Sequence, residues 1–153
     1  MMRILVAIDD SKYSQAAANA VISNIRPDGT EVTLLHVLDP FPRAVAAAMG
    51  SKEMPDFVTA RMKLRDQAEA FLAQIAEQFR IAKFAVSQVL AEGDPRDIIL
   101  DCAEQLPADL IVLGSHGRTG MTRLFMGSVS EAVARHARCS VQIVRIRPAA
   151  EAG

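Results

Sequence analysis

The segment from Ala108 to Arg138 constrains this chain more than any other. An apolar run, Ala108-Asp109-Leu110-Ile111-Val112-Leu113, ends in Gly114-Ser115-His116-Gly117, and a helical pattern opens at Gly127-Ser128 and continues from Val129. The spacing reads Gly-x2-Gly-x9-Gly-Ser. A strand that ends in a glycine loop and feeds a helix is a place for phosphate. Glycine lets backbone N–H groups approach an anion closely, and the helix N-terminus adds a favourable dipole. The hydroxyls of Ser128 and Ser130 would then donate to phosphate oxygens. A turn followed by an N-cap serine selects similar residues without any ligand; three glycines and a hydroxyl in fixed register favour the anion site.

Strand and helix signals alternate along the rest of the chain. Arg3 to Ile8 is a short continuous apolar run, as expected for a strand covered on both faces. Ser11 is placed to cap a helix carrying Ala16, Ala17, Ala20, Val21 and Ile25. Glu31 to Leu38 reads as a second strand, and Phe57 to Phe79 as a long helix with Leu64, Ala68, Phe71, Leu72 and Ile75 in helical spacing. Lys83 to Leu90 reads as a third strand. Asp94 as N-cap and Pro95 at the first helical position then open a helix, and Ser140 to Ile146 closes the series as a fifth strand. This alternation predicts a parallel sheet with helices on both faces, in one domain spanning residues 1–153.

The two ends of the chain carry a family resemblance. Gly114 to Arg145 resembles the C-terminal signature of the universal stress protein family in its ATP-binding branch, and Arg3 to Val21 resembles the same family's first strand and helix. The resemblance implies a doubly wound, open five-stranded α/β fold of the adenine-nucleotide-binding type, with strand order 3-2-1-4-5. In that order the first and fourth strands are neighbours and the winding reverses between them. A ligand crevice opens at the carboxyl ends of strands at such a switch point. Asp9 and Gly114 stand there.

The implied ligand is ATP, with Mg²⁺ or Mn²⁺ at the phosphates. Asp9 would meet the ribose hydroxyls or hold the metal, although a strand-to-helix turn also favours aspartate. Where many family members have glycine, this chain has Asp10, which strengthens the case for a metal. The resemblance assigns adenine recognition to the backbone of Val37, and adds Ala7, Gly114, His116, Gly117, Arg118, Gly127, Ser128, Val129 and Ser130 to the binding set. A cationic His116 or Arg118 beside a triphosphate is physically sensible, but no nearby carboxylate in sequence orients His116 as a general base. Gly120 to Met126 reads as a loop closing over the phosphates. His36 and His136 are isolated and read as structural.

Other classes lack their residues. The chain has no Gly-x4-Gly-Lys-Ser/Thr loop, no Gly-x-Gly-x2-Gly fingerprint and no nucleophile–base pair. A phosphate receiver would need an aspartate ending the third strand and a lysine after the fifth; the latter region reads Arg145-Ile146-Arg147-Pro148. The missing groups suit a chain that holds a nucleotide rather than transforms it quickly, and the resemblance implies a regulatory stress-response protein that signals through a ligand-ordered loop to an unknown protein partner. The alternative is a slow Mg-dependent ATPase or phosphotransferase.

A formal net charge of −1 steers the chain toward neither nucleic acid nor an anionic membrane. No signal peptide or spanning run is visible, so the expected location is cytoplasmic. Cys102 and Cys139 read as buried thiols. The fifth strand falls at a sheet edge, so a homodimer through Ser140 to Ile146 is expected.

Overall fold

A computed structural model describes residues 1–9, 11–39, 57–116 and 127–146. Asp10, the stretch Arg43 to Pro55, Gly117, Arg118, the loop residues through Met126 and the tail from Arg147 lie outside the described residues. The chain runs β1 (Met2–Ala7), α1 (Lys12–Asn24), β2 (Thr30–Leu38), α2 (Phe57–Ile81), β3 (Ala85–Glu92), α3 (Pro95–Gln105), β4 (Leu110–Gly114), α4 (Ser128–His136) and β5 (Ser140–Val144). All pairings are parallel, and the sheet order is β3-β2-β1-β4-β5. The order implied by the resemblance is the one found.

Strand periodicity divides the core into two layers. Ile4, Val6, Ile8, Val32, Leu34 and Val112 face one side, against Ala17, Ala18 and Val21 of α1 and Leu72, Ile75, Ala76 and Phe79 of α2. Leu5, Leu35, Ile111 and Leu113 face the other, against Ile99 and Ala103 of α3 and Val133 of α4. Adjacent residues Leu5 and Val6 are both 0% exposed, which requires cover on both faces. No helix among the described residues is long and apolar enough to cross a membrane.

The predicted caps are present. The Ser11 hydroxyl accepts from Ser14 N–H at 3.3 Å. Asp94 accepts from Arg96 N–H at 2.9 Å, with Pro95 opening α3. The Arg96 guanidinium also grips Asp94 and holds its carboxyl below the usual aspartate range. Burial pushes both cysteine thiols above their ordinary value, so they are poor nucleophiles at neutral pH.

The third strand begins later than its sequence suggests. Lys83 adopts φ +71°, and the chain closes α2 with Lys83 N–H on Arg80 C=O (2.9 Å) and Phe84 N–H on Phe79 C=O (3.0 Å). This is a Schellman cap, completed by the edge-on contact of Phe84 with Phe79, ring centroids 5.6 Å apart. Glycine normally fills the left-handed position, so a lysine there conceals the helix end. Lys83→Gly is expected to stabilise the protein by about 1 kcal/mol, since the left-handed penalty disappears. Thermal unfolding should show a rise of about 2–4 °C; an unchanged or lower midpoint would contradict this cap.

Candidate functional site

The winding reverses between β1 and β4, and the carboxyl ends of these strands lie side by side, Ala7 opposite Leu113 and Leu35. Just beyond β1, Asp9 is held by its own turn. Its Oδ1 accepts from Ser11 N–H and from the Ser14 hydroxyl, each at 2.8 Å. Its N–H donates to Ser14 Oγ at 2.7 Å. Ser14 is therefore buried and fully used. Asp9 keeps its second oxygen for another partner. Among the described residues no cluster of three His, Cys, Asp or Glu side chains is placed to hold a metal.

Across the switch point, Gly114 ends β4 against the first turn of α1. A Cβ at Gly114 would lie 2.7 Å from Tyr13 Cβ and 2.8 Å from Tyr13 O. Glycine is thus demanded here by packing, whatever ligand the site takes. The Tyr13 ring lies 5.1 Å from the His116 ring, tilted by 48°. Tyr13 in this way joins the β1–α1 turn to the end of β4, a role that no pattern in the sequence announces.

Ser115 is the hub of the glycine segment. Its N–H donates to Val144 C=O at 2.9 Å, which ties it to β5. Its carbonyl accepts from Gly127 N–H at 2.7 Å and from the Ser130 hydroxyl at 3.0 Å. Its hydroxyl lies 3.0 Å from His116 Nδ1. Gly127 and Ser130 are therefore closed directly onto the residue that follows β4. A Cβ on Gly127 would sit 3.3 Å from His116 Cα and from Ser115 O, so this closure also uses a glycine. In the sequence Ser115 lies between Gly114 and Gly117, and this role shows there only as a serine flanked by glycines.

The N-terminus of α4 faces the same end of the sheet. Gly127 is its N-cap and offers no side-chain acceptor. The N–H groups of the first turn, at Ser128, Val129 and Ser130, have no acceptor within the helix. Ser128 is exposed. Ser130 is buried at 3% exposure, and its hydroxyl is spent on the carbonyls of Ser115 and Gly127, each at 3.0 Å. In this structure Ser130 is a strut for the loop's ends, while Ser128 has the open hydroxyl. His116 Nε2 is buried with no hydrogen-bond partner among the described residues. Together these features make a donor-rich, anion-seeking cradle closed by glycines. Such a cradle fits phosphate groups.

The other expected residues fall as follows. Ala7 ends β1 and Val37 is the penultimate residue of β2, and His36 beside it is buried, its Nδ1 2.9 Å from Ile8 O. His136 ends α4, the helix whose other end faces the site, and bonds its own helix at Ala132 O, 2.9 Å away.

Comparison with known proteins agrees with this architecture. The model of the universal stress protein family matches residues 1–145. Universal stress protein MJ0531 of Methanocaldococcus jannaschii is 30% identical over 143 residues, covering 94% of this chain and 81% of that protein. The solved structure of protein MJ0577 from the same organism superposes with TM-score 0.81 at 27% identity, covering 96% of this chain and 97% of the other. A universal stress protein solved in complex with cAMP shares the fold, with TM-score 0.62 at 20% identity, covering 94% and 96% of the two chains.

Proposed function

The chain belongs to the universal stress protein family, and we propose that it is a single-domain regulatory protein that holds ATP at the switch point between β1 and β4. The observation that carries this reading is the pinned α4 N-terminus. Its first-turn N–H groups lack a side-chain cap, and Ser115 fixes them beside the end of β4. In the proposed complex the phosphates lie on Gly114, Gly117, Gly127, Ser128 and Val129, with His116 and Arg118 as nearby cations or donors. Ser130 supports that cradle from below. Adenine lies at Val37, and the ribose near Ala7 and Asp9. Asp9 would hold Mg²⁺ or Mn²⁺ at the phosphates with its second carboxylate oxygen, which fits a cation that usually takes one or two carboxylates and retains waters. Nucleotide orders residues 117–128, and a protein partner reads the ordered state. The cAMP complex of one fold neighbour concerns that protein; ATP is proposed here on the chain's own cradle.

Mass spectrometry of nucleotide released from freshly purified, denatured protein tests the reading directly, with ATP as the expected species. ADP accumulating in single turnover would favour the slow ATPase instead. The metal role has its own test. Asp9→Asn retains an Oδ1 for Ser11 and Ser14, so the turn survives and only the charge is lost. Calorimetry should show ATP affinity in Mg²⁺ falling about tenfold, or ~1.4 kcal/mol, with little change when the metal is chelated. Equal Mg²⁺ dependence in both proteins would remove the metal from Asp9 and leave the ribose contact.

A further inference from the structure

We propose that His36 sets base specificity at this site, by occupying the Ile8 carbonyl and so keeping the Val37 N–H free for the base. The inference rests on the ATP reading above. Its structural half follows from the ladder between β1 and β2. Leu35 lies opposite Ala7, and Ile8 N–H donates to Leu35 C=O at 2.8 Å. In a parallel ladder the bonds are evenly spaced, and alternate residues of one strand serve the same neighbour. Leu35 therefore bonds β1, and two residues on, the Val37 N–H is due to meet the Ile8 carbonyl. The intervening His36 and Leu38 serve β3, as Gly93 N–H on Leu38 C=O at 3.1 Å indicates.

That rung is replaced. The Ile8 carbonyl lies 2.9 Å from His36 Nδ1, and among the described residues no backbone N–H donates to it. Because a carbonyl only accepts, Nδ1 carries the proton. His36 is 7% exposed and shares a sheet face with Leu34 and Ile8. β1 ends one rung early, and a half-buried Val37 presents a backbone donor beside Asp9 at the switch point.

The chemistry of the base then follows. Adenine offers a lone pair at N1, while hypoxanthine and guanine carry a proton there. A fixed N–H donates to the first and opposes the others, and a site built around one hydrogen bond discriminates strongly against a partner that leaves it unpaired. His36 never touches the base in this scheme. It is a positioning residue that acts through the Ile8 carbonyl.

Two measurements test the proposal. The first needs no ligand: amide hydrogen exchange by NMR. Val37 should exchange fast in the unmodified protein while Leu34 and Leu35 are protected. In His36→Leu the Ile8 carbonyl is released and Val37 should become protected. In His36→Asn a side-chain N–H stands where Nδ1–H stood, and Val37 should remain fast. A protected Val37 in the unmodified protein overturns the inference, even if His36→Leu fails to fold. The second compares ATP, inosine triphosphate and tripolyphosphate. The unmodified protein and His36→Asn should prefer ATP over inosine triphosphate at least tenfold. His36→Leu should lose that preference with tripolyphosphate affinity unchanged. Equal losses for all three ligands would reduce His36 to a structural residue and overturn the proposal, while the ATP reading stands. An unmodified protein that binds neither nucleotide removes both; fast Val37 exchange would then leave His36 with strand termination alone.

Discussion

Gly114→Ala is expected to destabilise the protein by at least about 3 kcal/mol, the upper range for overpacking. The added methyl would meet Tyr13 Cβ at 2.7 Å, Tyr13 O at 2.8 Å and Tyr13 C at 2.9 Å. Two of these three atoms are backbone, in the first turn of α1, so no rotamer change relieves the clash. α1 would have to lift from β4. It is anchored there by Ala17, Ala18 and Val21 in the core and by the Asp9–Ser11–Ser14 turn. For a chain of this size the unfolding midpoint should fall by roughly 10 °C. Gly29→Ala is the control. Gly29 has φ +71° but nothing within 4 Å of its would-be Cβ, so only the left-handed penalty of about 1 kcal/mol applies. If the two variants melt together, the close approach at Gly114 is not what makes glycine necessary there.

This result bears on how glycine motifs are read. The Gly-x2-Gly-x9-Gly-Ser spacing suggests phosphate, yet Gly114 is required by the protein's own backbone and Gly127 sits in a tight contact of its own. Gly114 admits α1, and Gly127 brings its N–H onto the Ser115 carbonyl. Packing and anion binding are compatible demands, since the same close approach that glycine permits between chain segments also clusters N–H groups. The motif therefore locates the site better than it apportions roles within it.

The same distinction explains what the sequence disclosed elsewhere. Continuous apolar runs and the Asp94-Pro95 start are local signals, and the strands and caps they indicate are present. The strand order came from the family resemblance, because patterning leaves several doubly wound orders open. The late start of β3 was hidden by a left-handed lysine, whose conformation is imposed by the burial of Phe84 against Phe79. Ser128 and Ser130 are alike in the sequence, whereas helical geometry turns the Ser130 hydroxyl to the Ser115 carbonyl and leaves Ser128 exposed. Tyr13 and Ser14 gave no local sign, since their contacts are defined by the meeting of α1 with the ends of β1 and β4.

Ile143→Pro is expected to convert the proposed homodimer into a folded monomer. β5 borders the sheet and pairs only with β4 among the described strands. Its residues alternate in direction. Val144 C=O accepts from Ser115 N–H at 2.9 Å, and Gly114 lies opposite Val144, so Val144 directs its bonds inward to β4. Val141 and Ile143 then direct theirs outward, to the open edge. An unpaired apolar edge is a template for a second strand, and antiparallel pairing of two β5 copies across a two-fold axis closes both edges at once. Proline at Ile143 removes an outward donor and leaves the β4–β5 ladder whole, a position where edge strands tolerate it. Val144→Pro instead removes an inward donor and should damage the fold itself. Analytical ultracentrifugation at tens of micromolar, with circular dichroism on the same samples, separates the cases. The unmodified protein should sediment as a dimer, Ile143→Pro as a monomer with near-native ellipticity, and Val144→Pro as an unfolded or aggregated chain. A dimer that survives Ile143→Pro would place the interface elsewhere, and a monomeric unmodified protein would leave the β5 edge unpaired in solution.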